Sequence, residues 1–141
     1  MYTIQTEQHF DAAHFLAGYE GKCSNLHGHR WRVAARIGAD TLKTDEQLRG
    51  MVADFGDVKR DLKELTDVFD HTFIYESGSL KEETIRALRG EEFALVEVPF
   101  RPTAECFAKY FYDRLKEKGY AVCQVDVYET PDNCASYTGE F

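Results

Sequence analysis

The sequence predicts an α+β fold in which a four-stranded antiparallel sheet carries two helices on one face. Over residues 27–38, the residues follow a period of two, with Trp31, Val33, Ala35 and Ile37 on one parity against Arg30, Arg32, Ala34 and Arg36 on the other, which is typical of a strand with one buried face. Over 51–69 and 103–115, apolar residues recur every three or four positions, as in amphipathic helices. Two short strand-like segments close the chain. The predicted order is therefore ββααββ, with helices layered on a sheet.

The first two predicted strands, residues 2–13 and 27–38, form the centre of the expected sheet. Alternate residues of a strand point to the same face. The apolar residues of the second strand that share one parity are Trp31, Val33, Ala35 and Ile37. Three arginines and Ala34 occupy the other parity, so we expect one face packed inside the subunit and one face open. A small sheet with open edges also favours assembly with further copies of itself.

Each predicted helix has a residue suited to cap its start. Asp54 is the expected N-cap of the helix within 51–69, and Thr103 is the expected N-cap of the second helix. The expected buried residues are Phe55, Val58, Leu62, Leu65 and Phe69 in the first helix, and Ala104, Phe107, Phe111 and Leu115 in the second. Gly119 is expected to stop the second helix.

The remaining segments show weaker patterns. A short helix is expected around 81–88 within a charged stretch, and 93–98 is a candidate for an extra short strand. The chain is predicted to close with strands over 121–129 and about 135–138. A turn at Pro131-Asp132-Asn133 joins these two strands.

The length and charge of the chain restrict its class. Its 141 residues fit one domain, residues 1–141, and its net charge of −8 argues against a nucleic-acid partner. No apolar run reaches the roughly 18 residues expected of a membrane-spanning helix. The four cysteines form no CxxC pair, and the N-terminus has no features of an export signal. We therefore expect reduced thiols and a cytoplasmic protein.

Three histidines and a cysteine near the N-terminus give the strongest functional signal. His27 and His29 share one strand face, and His14 ends the preceding strand, so three imidazoles can converge. Three histidine ligands are typical of a catalytic zinc site that leaves one coordination position for substrate. Cys23 has three interpretations: a fourth ligand that closes a structural site, an inert thiol, or a base or nucleophile whose thiolate forms readily beside a cation.

Three carboxylates suggest further site residues. Asp70 can orient His71 for acid–base chemistry, although a histidine at a helix C-terminus fits the pattern equally well. Glu129 lies on the apolar parity of its strand, where an unpaired carboxylate is unfavourable. Either a ligand with two adjacent N–H donors binds it, or its side chain turns to water at the end of the strand. Glu105 lies in the first turn of the second helix, a position that the helix dipole favours in any case.

As a set, these motifs resemble the 6-pyruvoyltetrahydropterin synthase and 6-carboxytetrahydropterin synthase family. The matching segments are Phe10-Asp11-Ala12-Ala13-His14, Cys23-x-x-x-His27-Gly28-His29, Asp54-Phe55-Gly56-Asp57-Val58-Lys59, Asp70-His71, Pro102-Thr103-Ala104-Glu105 and Glu129-Thr130. The three-residue gap between Cys23 and His27 is similar to that of the bacterial 6-carboxy-5,6,7,8-tetrahydropterin synthases of queuosine biosynthesis. The animal pyruvoyl enzymes have a longer gap. Cys106 stands where the family usually has asparagine.

The resemblance implies the tunnelling fold, or T-fold, in which subunits join their sheets into barrels. The implied assembly is a homohexamer of two trimers, with active sites at subunit interfaces. The implied activity is that of a zinc-dependent lyase acting on a small-molecule pterin, 7,8-dihydroneopterin triphosphate. Its products would be 6-carboxy-5,6,7,8-tetrahydropterin, acetaldehyde and triphosphate.

The resemblance also implies a role for each candidate residue. The implied Zn²⁺ ligands are His14, His27 and His29; the catalytic residues are Cys23, Asp70 and His71; the substrate-binding residues are Glu129, Thr130 and Glu105. Cys23 as a thiolate would remove a substrate proton, and His71, oriented by Asp70, would relay protons. Glu129 would accept from the 2-amino group and ring N–H of the pterin.

Three alternatives stay open from the sequence. The same substrate could yield a 6-pyruvoyl product. A zinc hydrolase using metal-bound hydroxide would need a glutamate base beside the metal, and the chain has no HExxH helix to supply one. A non-catalytic, zinc-stabilised module would use Cys23 as its fourth ligand.

Overall fold

A long antiparallel hairpin forms the centre of the fold. The computed structural model describes residues 1–139. Its first two strands are β1 (Tyr2–His14) and β2 (His27–Ala39). They pair along their whole length, with Tyr2 opposite Ala39 and His14 opposite His27. This register brings the end of β1 and the start of β2 to the same end of the sheet.

Shorter strands extend the sheet on both sides of this hairpin. They are β3 (Thr72–Glu76), β4 (Leu95–Val98), β5 (Val122–Thr130) and β6 (Asn133–Tyr137). Over residues 1–139 the strand order is β4-β3-β1-β2-β5-β6. On one side, β5 and β6 continue the antiparallel pairing, whereas on the other β3 runs parallel to β1 and β4 runs parallel to β3.

The α+β class is confirmed, but the prediction of a four-stranded antiparallel sheet is wrong. The described part of the chain forms a mixed sheet of six strands. No sequence pattern marks β3, because Thr72–Glu76 is short and has an apolar run at its centre instead of alternation. Its pairing with β1 involves only Ala12 and Ala13, a long-range contact that local periodicity cannot reveal. By contrast, β4 falls within the short strand that was a candidate over 93–98.

Three α-helices accompany the sheet over the described residues: α1 (Phe55–Asp67), α2 (Glu82–Gly90) and α3 (Ala104–Glu117). Both predicted N-caps are present, since Asp54 Oδ1 accepts from Gly56 N at 2.7 Å and Thr103 Oγ1 accepts from Cys106 N at 3.2 Å. The expected short helix corresponds to α2, which connects β3 to β4. Within residues 1–139, no helix has both the length and the apolar composition to cross a membrane.

The hydrophobic core lies between the apolar face of the sheet and the two longer helices. Trp31 of β2 is fully buried; it stacks on Phe10 at a centroid distance of 5.7 Å and meets Phe107 of α3 edge-on at 5.2 Å. Leu62 of α1 belongs to the same core, so both helices cover one face. Phe55, expected to be buried, is 58% exposed. It is the first residue of α1, and helical side chains point back towards the N-terminus, away from the core.

The opposite face of the sheet carries the arginines, with Arg30 exposed and Arg32 and Arg36 partly exposed. Arg32 Nη1 lies 2.8 Å from Glu7 Oε2, and its guanidinium lies 3.7 Å from the centre of the Tyr128 ring. The hydrogen bond to Glu7 raises the pKa of Arg32. One packed face and one polar face agree with the alternation predicted for the second strand.

Candidate metal centre and active site

Three histidines meet at the end of the central hairpin. His14 and His27 are directly opposite each other in the β1–β2 register, and His29 lies two residues further along the same face of β2. The Nε2 atoms of His14 and His27 are 3.2 Å apart. The ring centroids of His27 and His29 are 4.8 Å apart. The structure therefore brings together the three imidazoles that the sequence spacing suggested.

Backbone carbonyls fix the orientation of two of these rings. His14 Nδ1 lies 2.7 Å from the carbonyl oxygen of Pro102, and His27 Nδ1 lies 2.7 Å from that of Asn25. A carbonyl can only accept a hydrogen bond, so in each neutral ring the proton belongs on Nδ1. The Nε2 lone pairs then point into the cluster. This outer-shell arrangement is typical of histidines that bind a metal.

Glu129, at the end of β5, adds a carboxylate to the cluster. Its Oε1 atom lies 2.9 Å from His29 Nε2 and 3.3 Å from His14 Nε2. His29 Nε2 is buried and, despite this short distance, has no hydrogen-bond partner among the described residues. One donor atom from each of these four residues lies within 4.8 Å of the others. A buried nitrogen without a partner beside a carboxylate fits a metal ion well.

The surroundings of His14 and His29 favour the neutral, metal-binding form of these two rings. Burial lowers the pKa of His14, against the opposing effects of the Pro102 carbonyl and Glu129. Burial likewise lowers the pKa of His29, although Glu129 again opposes the shift. Three imidazoles with one carboxylate are a donor set that suits Zn²⁺. The four residues could therefore hold a metal ion.

Cys23 lies in a 3₁₀ turn, Lys22–Ser24, within the loop that joins His14 to His27. Its carbonyl accepts from Leu16 N at 2.9 Å, which ties the turn to the residues that follow His14. The thiol is half-buried and does not belong to the group of potential metal ligands found among residues 1–139. This geometry gives no support to a closed site with Cys23 as the fourth ligand.

Two residues that sequence patterns do not reveal hold this region in place. Arg101 Nη2 donates to the carbonyl of Ala17 at 2.6 Å, across the loop that carries Cys23. The next residue, Pro102, supplies the carbonyl that meets His14. Both contacts use main-chain oxygens from distant parts of the chain, for which a sequence carries no signal. The match of Pro102-Thr103-Ala104-Glu105 to the family motif is the one sequence feature that points to this segment.

Asp70 and His71 lie beside the cluster, where the chain enters β3. Asp70 Oδ2 is 3.0 Å from His71 Nδ1, and Asp70 Oδ1 accepts from Asp11 N at 2.8 Å. The hydrogen bond from Asp11 is the main reason that the pKa of Asp70 is lowered, and His71 adds to this effect. His71 has a left-handed backbone with φ 60°, which is uncommon outside glycine and often occurs at functional sites.

The predicted substrate-binding residues surround cavities that meet at the cluster. Glu105 and Glu129 line one cavity of about 470 Å³. Glu129 and Thr130 line another of about 490 Å³, which also reaches His29. Thr130 Oγ1 accepts from Asn133 N at 3.1 Å, so its hydroxyl also supports the turn into β6. His71 and His29 share a third, open groove of about 420 Å³.

Sequence comparison identifies the family. The profile of the 6-pyruvoyl tetrahydropterin synthase family matches residues 3–140, so the chain belongs to this family. A 6-carboxy-5,6,7,8-tetrahydropterin synthase from Haemophilus influenzae is 36% identical, over 97% of this chain and 99% of the relative. One from Synechocystis is 33% identical, over 97% of this chain and 93% of the relative. The sequence-based assignment to the family is thereby confirmed.

Solved structures show the same fold. An uncharacterized protein from Wolinella succinogenes superposes with a TM-score of 0.77 at 23% identity, covering 99% of this chain and 98% of the other. The 6-pyruvoyltetrahydropterin synthase of Plasmodium vivax gives a TM-score of 0.72 at 21% identity, with the same coverage. At this level of identity, the likeness concerns the fold alone.

Proposed function

We propose that this protein is a zinc-dependent 6-carboxy-5,6,7,8-tetrahydropterin synthase acting in the cytoplasm on 7,8-dihydroneopterin triphosphate. The observation that carries the proposal is the convergence of three histidine Nε2 atoms at the end of one hairpin, in a chain 33–36% identical to relatives of that name. Water is the co-substrate, and 6-carboxytetrahydropterin, acetaldehyde and triphosphate are the products. No external oxidant is needed, because the pterin ring gains the two electrons that the side chain loses.

His14, His27 and His29 would hold the metal ion, and backbone carbonyls already orient the rings of His14 and His27 for this role. When bound, Zn²⁺ supplies a Lewis acid that polarises the oxygens of the substrate side chain and so acidifies the neighbouring C–H bonds. The remaining steps belong to residues of the chain.

Two groups, Cys23 and His71, would carry out proton transfer. The Cys23 thiolate would accept the proton from the side-chain carbon of the substrate, and the turn that carries Cys23 is held by the hydrogen bond from Leu16 N to the Cys23 carbonyl. His71 would return or relay protons, since Asp70 Oδ2 lies 3.0 Å from its Nδ1 and leaves the His71 side chain largely exposed. Glu129 would accept from the adjacent N–H donors of the pterin ring, with Glu105 and Thr130 in the adjoining cavities.

The active form would be a homohexamer, a dimer of trimers, with each site completed by neighbouring subunits. The exposure of His71, whose side chain is 78% accessible, supports this part of the proposal. An acid–base group usually acts where bulk water is excluded, and a neighbouring subunit would exclude it here.

The decisive experiment is incubation of metal-assayed protein with 7,8-dihydroneopterin triphosphate, followed by mass spectrometry of the products. A 6-carboxytetrahydropterin product with acetaldehyde supports the proposal. A 6-pyruvoyl product identifies the alternative activity, and no product supports a non-catalytic zinc module.

Substitution of Cys23 tests its assigned role. Cys23→Ala is expected to keep zinc and reduce turnover by at least about 100-fold, as expected for loss of a general base. Cys123→Ala, at the opposite end of the sheet, is the control. Loss of zinc from Cys23→Ala would instead favour a structural zinc site.

A further inference from the structure

We infer that Glu129 is a fourth metal ligand in the substrate-free protein and leaves the metal when a pterin takes its carboxylate. The inference rests on the metal site of the proposed function and deepens it, because it makes access to the metal depend on the pterin ring. It gives Glu129 a second role besides pterin binding.

The distances between donor atoms carry the first step. In a tetrahedral zinc site with bonds of about 2.0–2.1 Å, neighbouring donor atoms are separated by about 3.3 Å. His14 Nε2 lies 3.2 Å from His27 Nε2 and 3.3 Å from Glu129 Oε1. Glu129 Oε1 also lies 2.9 Å from His29 Nε2. The carboxylate oxygen therefore has the spacing from two histidines that a shared ligand shell requires.

The position of Glu129 in β5 explains why its carboxylate reaches this point. Val125 and Val127 are fully buried, and Glu129 continues their parity towards the helix-covered face. The ladder between β2 and β5 ends at the pair Arg32–Tyr128. Beyond that pair, β5 no longer bonds to β2, so the Glu129 side chain can approach the Nε2 atoms of the histidines.

Charge carries the next step. Within residues 1–139, the ion-pair contacts of Glu129 are with the imidazoles of His14 and His29. Neutral imidazoles do not compensate a carboxylate whose side chain is only 29% exposed. A divalent cation at the centre of the cluster would compensate it.

Two uses of one carboxylate compete with each other. If the pterin ring draws Glu129 away, a coordination position becomes available only when the ring is already bound, and the reacting side chain can then fill it. A pterin that lacks the side chain would compete with the metal for Glu129. Such a pterin should therefore lower the affinity for the metal, and the metal should lower the affinity for the pterin by the same factor.

Chelator competition for Zn²⁺ tests the ligand role without any turnover. Glu129→Gln is expected to lower zinc affinity by about tenfold or more, since even loss of an outer-shell partner costs about 10- to 100-fold. The control Glu97→Gln changes an exposed glutamate of β4 and should match the wild type. Equal affinity in the wild type and Glu129→Gln would overturn the inference.

Cobalt substitution tests the release step in the unmodified protein, so a poorly folded variant cannot obscure the result. Addition of 7,8-dihydropterin, which lacks the side chain, should change the visible Co²⁺ spectrum of the wild type and lower its metal affinity. An unchanged spectrum at saturating dihydropterin would refute release. Failure of the proposed function would give a different result: the metal-binding measurements would come out as expected, but no product would form from 7,8-dihydroneopterin triphosphate.

Discussion

The histidine cluster and the Asp70–His71 pair lie side by side but differ in how exposed their side chains are to solvent. His14 is 1% exposed, and backbone carbonyls hold the Nδ1 atoms of His14 and His27. The His71 side chain is 78% exposed, and its one ion pair among the described residues is with Asp70. The first group has its ligand atoms oriented before anything binds, whereas the second has an oriented ring open to solvent.

This difference indicates which part of the site a single chain can complete. Metal ligation needs only converging lone pairs, and the β1–β2 register provides them. Proton transfer needs, in addition, a surface that excludes water, which the described residues do not place over His71. For the proposed hexamer, we therefore expect each subunit to bind metal by itself and turnover to depend on contacts between subunits.

The largest effect is expected from His27→Ala, which removes a ligand and tests whether the cluster is a metal centre at all. Zinc affinity should fall by more than the roughly 10- to 100-fold typical of outer-shell changes, and turnover should fall with it. Metal content after dialysis against a chelator provides the measurement. His9→Ala, an exposed histidine on β1, is the control. Retention of zinc by His27→Ala would contradict the assignment.

An intermediate effect is expected from His71→Asn, which separates the acid–base pair from the metal centre. Asparagine tolerates the left-handed backbone at this position, so the turn into β3 should persist. We expect kcat to fall by about 10²- to 10⁴-fold, the usual contribution of an acid–base group. Zinc content and thermal stability should stay at wild-type values. A variant that loses zinc as well would show that the two regions are not independent.

The smallest effect is expected from the helix caps, which test whether the α3 start supports the metal centre. Thr103→Ala and Asp54→Ala each remove a capping bond and should each cost about 1 kcal/mol of unfolding free energy. Only Thr103 adjoins Pro102, whose carbonyl orients His14. Thr103→Ala alone should therefore weaken zinc binding, measured by chelator competition alongside denaturant unfolding. Equal zinc affinity in both variants would show that the start of α3 does not support the metal centre.

Much of the fold is predictable because it depends on local patterns. The alternation over 27–38 predicts β2 and its buried face, and the capping residues Asp54 and Thr103 predict where α1 and α3 begin. The pairing of β3 with β1 is not predictable in this way, since it rests on two residue pairs between distant segments. The mixed character of the sheet follows from that pairing.

By itself, the sequence determined that His27 and His29 share a strand face, because the strand repeat of two residues is local. Only the tertiary structure decided that His14 pairs with His27, that Glu129 joins them, and that Pro102 orients His14 from 88 residues away. Those contacts depend on strand register and on where the β2–β5 ladder ends. Register depends on which faces pack against the helices and on the geometry of the connecting loops, so the strand repeat alone does not specify it.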